Sequence, residues 1–301
     1  MKLEYLQIDF KIKFSEQIKA DTTPLFILRS MLGKNLHSMC CISKQSTCPE
    51  CMYNKSCAYA YIFETILPQE NTLLPGTNRA SHPYSFASDI QGRIFSEYSF
   101  KVTLLGKAIE YFPYIYASIV RTGKDGLFKS RTKFDVVDVI VDGKSIFIDE
   151  NTIRTDTLPY EWFSGSCAGS TKKEILVELK SPLRFKTKGK YTHDFSVQDF
   201  MKCLYRRART LCGLYGSLDD DIEYYEPDVN LQITDRNVRW VDYNHYSARQ
   251  KNAMELGGAV GNFKMSGSFT DFELSLFEIN KIANAGKNTN FGLGQIDFWV
   301  R

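Results

Sequence analysis

Long apolar runs are missing from this chain of 301 residues: none approaches the roughly 20 residues that a bilayer-spanning helix needs, so no membrane partner is expected. The opening stretch MKLEYLQIDFKIKF scatters lysines through an alternating pattern and lacks the basic start and apolar core of a secretory signal, which points to a cytoplasmic protein. Low-complexity tracts are absent too. Charge of one sign is not in large excess, because 38 Lys and Arg against 35 Asp and Glu leave a net +3. A polyanionic partner must therefore be held by local clusters, the whole-chain field being too weak to matter. Histidine, the side chain suited to proton transfer near neutrality, occurs only at positions 37, 82, 193 and 245. What is present suffices for a real core: 43% hydrophobic and 14% aromatic residues, over a length that suits two ordinary domains.

Cysteine is concentrated rather than scarce. Of the 8 in the chain, Cys40, Cys41, Cys48, Cys51 and Cys57 fall within one short segment. In a reducing compartment these are thiols or metal ligands before they are disulfides. The Cys48-x-x-Cys51 turn supplies two ligands from one tight loop. A tetrahedral structural zinc held by Cys41, Cys48, Cys51 and Cys57, with Cys40 able to replace Cys41, is the first reading. An iron–sulfur cluster and spare buried thiols are the alternatives.

Alternation over residues 4–14 predicts a half-buried strand, and Asp21-Thr22-Thr23-Pro24 opens a helix over 25–39. Leu25, Leu28, Leu32 and Leu36 share its apolar face, while Arg29, Gly33, Lys34 and His37 fall beside or away from it. Residues 59–89 read as irregular. A strand over 95–105, a core helix over 108–120 and a hairpin over 134–148 turning at Asp142-Gly143 follow, with a domain boundary in 149–170. The second half repeats this logic. A strand at 174–179 leads to a helix that Ser196 caps and that runs to about 215. Strands in 229–241 and 253–269 follow, then a helix from Thr270 or Asp271 to about 285, then a last strand from 295. Strand, helix, two strands, helix, strand is a ferredoxin-like order. The expected class is α+β, with tandem ferredoxin-like (RRM-like) domains, antiparallel sheets and a small Cys-rich insert. The domains are 1–160, carrying the insert at 40–57, and 170–301.

The last strand is preceded by NAGKNTNFGLGQ, which gathers Gly286, Gly292 and Gly294 around Lys287. Glycine allows positive φ and close backbone approach, so such a loop can turn N–H groups toward phosphate oxygens. Gly123-Lys124-Asp125-Gly126 echoes it earlier, again between a helix and a strand. Lys202, Arg206, Arg207 and Arg209 form a run that is either a solvated helix face or a phosphate-facing patch.

Trp240 to Gln250 (WVDYNHYSARQ), Gly257-Gly258-x-x-Gly261 and the terminal GKNTNFGLGQ loop, taken in order, resemble the CRISPR-associated endoribonucleases that cut precursor CRISPR RNA within its repeats, members of the repeat-associated mysterious protein (RAMP) superfamily. Leu28-Arg29-Ser30-Met31-Leu32-Gly33, the cysteine cluster and Ala58-Tyr59-x-x-Ile62-Phe63-Glu64 are similar to the form of that family with a cysteine-rich insert. Two departures stand out. His245 replaces an expected basic residue, and Gly126-Leu127-Phe128-Lys129-Ser130-Arg131 is poorer in glycine than the family's loop.

The resemblance implies cleavage without metal or other cofactor, by attack of the RNA's own 2′-hydroxyl on the adjacent phosphate, leaving a cyclic phosphate and a 5′-hydroxyl. No carboxylate constellation for a two-metal route stands out in the sequence. His37 is the expected acid or base, with Lys34 or Arg29 as the cation near the phosphate, and Gly33 would let an RNA strand approach; a helix-end histidine favoured by the dipole is the alternative reading of His37. His245, assisted by Tyr243 or Tyr246, is the rival; His82 and His193 read as ordinary surface residues. Arg29, Arg206, Arg249, Gln250, Lys251 and Lys287 are expected to hold the repeat RNA, with Gly286, Gly292 and Gly294 shaping the loop. CRISPR effector subunits are further partners. A non-catalytic repeat-binding subunit and a zinc-dependent protein scaffold are the competing functions.

Overall fold

The structure is a computed structural model. It describes all residues except 21–22, 44–46, 68–72, 75–76, 78, 89–93, 150, 219–223 and 248–251, and only the backbone of 244–247 and 252–255. The chain divides into two compact units, Leu3–Glu161 and Trp162–Arg301, the latter including Met1 and Lys2.

In the first unit, β1 (Lys2–Lys19), α1 (Pro24–Cys40), β2 (Tyr84–Ala87), β3 (Ile94–Leu105), α2 (Phe112–Asp125), β4 (Phe134–Val141) and β5 (Lys144–Ser145) follow in order. The strands pair antiparallel as β2-β3-β1-β4-β5, so β1 and β3 occupy the centre of the ferredoxin-like set. Alternation explains β1: Leu6, Ile8, Phe10, Ile12 and Phe14 all point to one buried face. Leu25, Leu28, Leu32 and Leu36 of α1, and Ile115 and Ile119 of α2, belong to the same core. Each such side chain contributes roughly 1.5–3 kcal/mol by leaving water. Thr23 caps α1 by accepting from the Leu25 N–H, and Pro24 occupies its first turn. The turn between β4 and β5 is the expected one, with Asp142 and Gly143 both at positive φ (52° and 69°).

Two expectations need correction. Residues 84–87, read as irregular, form β2, and its run Tyr84-Ser85-Phe86 is buried on both sides, so no alternation marks it. The helix expected over 108–120 begins as a 3₁₀ turn, Gly106–Tyr111, and becomes α-helical at Phe112, where Pro113 fits the first turn.

The second unit repeats the order with β6 (Thr171–Leu183), α3 (Val197–Tyr215), β7 (Gln232–Val241), the hairpin β8 (Asn244–Ser247) and β9 (Asn252–Glu255), β10 (Gly258–Phe269), α4 (Asp271–Ala283) and β11 (Ile296–Val300). Its sheet runs β7-β10-β6-β11, again antiparallel, with β8 and β9 paired separately. Both helices start in capping boxes, Ser196 with Asp199 and Thr270 with Glu273. Phe200 of α3 meets Phe263 of β10 edge-on at 5.0 Å between ring centroids and Phe277 of α4 at 6.1 Å, which locks both helices over the sheet. Among the described residues no helix is long and apolar enough to cross a membrane.

Candidate functional site

Arg29, Gly33 and His37 recur every four residues along α1 and so form one row on its surface. The turn that follows the cysteine segment lies along that row. Tyr59 meets the exposed His37 edge-on at 4.7 Å between centroids and stacks on Phe63 at 5.7 Å. Phe63 in turn sits under the Arg29 guanidinium at 5.2 Å. It fits there because Gly33 has no side chain: a Cβ at 33 would stand 2.6 Å from the Phe63 ring. Gly33 is therefore buried against protein, which corrects its reading as a point of RNA approach.

Residues Ala60–Glu64 form a π-helix, closed by Thr65 at φ 45° with its N–H on the Ala60 carbonyl. The Tyr59 hydroxyl donates to the buried Glu64 carboxylate at 3.1 Å, and Arg79 reaches the same carboxylate at 2.8 Å. His82, expected to be an ordinary surface residue, is half-buried, stacks on Tyr84 at 5.5 Å and places Nε2 3.1 Å from Arg29 Nη2. Lys34 is exposed one turn before His37, and His193 is exposed in the second unit. The result is a charged aromatic platform with one exposed imidazole at its end.

The same helix end carries the cysteines. The Cys41 N–H closes α1 on the His37 carbonyl at 2.9 Å, Cys48 and Cys51 bracket a 3₁₀ turn, and Cys57 begins the turn that bears Tyr59. Burial and the neighbouring Cys57 push the Cys40 thiol up from its ordinary range; burial, Glu64 and the surrounding thiols do the same to Cys48. Among the described residues no three His, Cys, Asp or Glu side chains form a ready-made metal-holding group.

In the second unit the glycine-rich loop is bonded within itself and to Pro182 and Arg184. The Ala285 N–H donates to Gly294, Lys287 to Arg184, Gly292 to Thr289 and Gly294 to Pro182, at 2.7–3.0 Å. Those four N–H groups are spent inside the protein and do not face a phosphate. Gly286, Gly292 and Gly294, at φ 72–84°, shape it, and the Lys287 side chain is what it exposes. Substituting Gly294 by Ala would set a Cβ 1.8 Å from the Ala285 carbonyl oxygen. The expected cost in urea denaturation is at least about 2 kcal/mol, against about 1 kcal/mol for Gly143→Ala. Gly143 shares the positive φ, but a Cβ there meets nothing within 4 Å.

The basic run on α3 splits. Arg206 is exposed, whereas Arg207 is buried, and it donates from Nε to the Asn284 carbonyl at 3.2 Å and from Nη2 to the Ala283 carbonyl and Thr289 Oγ1 at 3.1 and 2.8 Å. It belongs to the loop's foundations and not to a phosphate-facing patch. Burial pushes its guanidinium down to about 10, still charged at neutral pH.

The sequence reading also passed over Arg184, which stacks on Tyr191 at 3.8 Å and donates to the Gly257 carbonyl at 2.7 Å, with Lys186 over the same ring. Tyr243 is partly exposed at the foot of the β8–β9 hairpin. His245 and Tyr246 lie in β8, their side chains outside the described residues, as Arg249, Gln250 and Lys251 are altogether.

Known proteins decide the family. A family model for an N-terminal domain, AF_1859_N, matches residues 3–158, more than half of the chain, and the model for CRISPR-associated endoribonuclease Cas6 matches residues 177–296. Residues 177–296 thus carry a Cas6 endoribonuclease domain, and the chain is a Cas6-type protein. That domain is the one of CRISPR repeat RNA-processing endoribonucleases, and the chain carries it on tandem ferredoxin-like folds.

Among solved structures, a Cas6 (TTHB231) product complex is similar with a TM-score of 0.56 at 12% identity, over 98% of this chain and 99% of that one. Thermus thermophilus Cas6 (TTHB231) gives 0.52 at 11% identity over 99% of each chain. A partial Cas6-RT-Cas1–Cas2 complex gives 0.55 at 13% identity, over 99% of this chain and 46% of that one. Identities this low establish the shared Cas6 fold and nothing finer. No curated protein matches this chain in sequence.

Proposed function

We propose that this chain cuts precursor CRISPR RNA within the repeat without a metal ion, with His37 as the proton-transfer group. In that reaction the 2′-oxygen forms a new bond to phosphorus as the bond from phosphorus to O5′ breaks. The 2′ proton leaves, O5′ gains one, and the products carry a cyclic phosphate and a 5′-hydroxyl. An imidazole can take the first proton or supply the second, and a nearby cation stabilises the charge that builds on the phosphoryl oxygens.

The observation that carries this reading is the placement of His37: exposed at the end of α1, braced edge-on by Tyr59, with Lys34 one turn away and Arg29 further along the same row. Exposed Arg206 and Lys287, together with Arg249, Gln250 and Lys251, are assigned to holding the repeat strand by its phosphates. Arg184 and Lys186, both over the Tyr191 ring, add positive charge for the same strand. Its partners are repeat RNA and, in an effector complex, other CRISPR subunits.

Incubating the full-length protein with repeat RNA in excess EDTA tests the reading. The expected result is cutting at the rate seen without EDTA, yielding a 5′ fragment whose 3′ end resists periodate and a 3′ fragment that a kinase labels without prior dephosphorylation. Loss of cutting on chelation overturns metal independence, and tight repeat binding with no cutting under any condition makes the chain a binding subunit.

A further inference from the structure

We propose that Cys41 at the end of α1 and Cys48, Cys51 and Cys57 in the turns before Tyr59 form a zinc clasp that holds one structural Zn²⁺. All four thiols, with Cys40 and Tyr59 beside them, line a single cavity of about 30 Å³. That volume exceeds what a single water needs, and so admits an ion. Each of these thiols is free of disulfide bonding and only partly buried.

They reach the cavity from separate pieces of backbone. Cys41 ends α1, Cys48 and Cys51 form the two ends of one 3₁₀ turn with the Cys51 N–H on the Cys48 carbonyl at 3.3 Å, and Cys57 opens the next helical turn. Two ligands from a tight turn and one from each flanking helix is a tetrathiolate pattern. Zinc with Zn–S bonds of about 2.3 Å would draw the four sulfurs inward, each thiol releasing its proton on binding.

The clasp has a consequence for the platform. Cys41 is bonded through its N–H to the carbonyl of His37, and Cys57 lies two residues before Tyr59, so closing the thiols on one ion fixes both segments that bring His37 and Tyr59 together. Zinc binding itself does not depend on the cleavage reading, since metal content and thiol reactivity are measured without RNA.

The test uses the full-length chain, expressed with zinc and purified without chelator or metal resin. Elemental analysis should find one zinc per chain. Alkylation mapped by mass spectrometry should show Cys41, Cys48, Cys51 and Cys57 slowed about tenfold or more relative to the chelator-stripped protein. Cys40→Ser should keep the metal and Cys48→Ser/Cys51→Ser should lose it. Should that double variant fail to fold, the alkylation pattern of the wild type with and without zinc decides. The proposal is overturned by a folded wild-type chain holding no zinc, by thiols whose reactivity ignores zinc, or by stoichiometric iron with visible absorption.

Discussion

Replacing His37 with alanine is expected to slow cleavage of repeat RNA by about 10²–10⁴-fold, the usual contribution of a positioned acid or base, while RNA affinity stays within about threefold. The asymmetry follows from where His37 stands. It is exposed and carries none of the core, so its removal forfeits little beyond an edge contact with Tyr59 worth roughly 0.5–1.5 kcal/mol. A fall in single-turnover rate with an unchanged urea midpoint would therefore locate the loss in chemistry. Tyr59→Phe keeps the ring against His37 and removes only the hydroxyl that donates to Glu64. It should retain most of the cutting rate, whereas Tyr59→Ala, which unbraces the imidazole, should not. Undiminished cutting by His37→Ala would move the proton-transfer role to the β8 segment, where His245→Ala becomes the decisive variant.

Much of the scaffold behind that site can be read directly from residues, because its causes are local. The five-fold alternation Leu6, Ile8, Phe10, Ile12, Phe14 makes β1, and the boxes Ser196/Asp199 and Thr270/Glu273 start α3 and α4 at the residues expected. The glycine loop's position between α4 and β11 was legible for the same reason. Its chemistry was not: whether an N–H faces a phosphate or a carbonyl depends on Pro182 and Arg184, about a hundred residues earlier in the chain. His82 escapes notice likewise, since its partner Arg29 lies 53 positions away. Gly33 misleads because a glycine on a helix admits an RNA strand or a phenyl ring equally well, and only the fold reveals that Phe63 takes the space. Arg207 is the instructive miss. Phe200, Leu204, Arg207 and Leu211 follow the spacing of a helix's buried stripe, so the helical period already set it apart from Arg206.

That distinction predicts opposite fates for adjacent arginines. Arg207→Ala removes a buried guanidinium that serves two carbonyls and a hydroxyl at the root of the glycine loop, and it leaves all three acceptors out of reach of water. An unsatisfied buried polar group costs about 1–3 kcal/mol and a cavity adds to it, so the expected loss is on the order of 3–5 kcal/mol by urea denaturation. Arg206→Ala, on the exposed side of the same turn, should stay within about 0.5 kcal/mol of the wild type. Arg207→Lys is the informative intermediate. It restores the charge but has a single point donor in place of the planar fork, so it should recover part of the stability and still leave Asn284, Ala283 and Thr289 incompletely bonded. Because those residues set the course of the chain into Gly286 and Lys287, the lysine variant should also bind repeat RNA more weakly than its stability alone explains. Equal urea midpoints for Arg207→Ala and Arg206→Ala would show that the guanidinium does not anchor the loop.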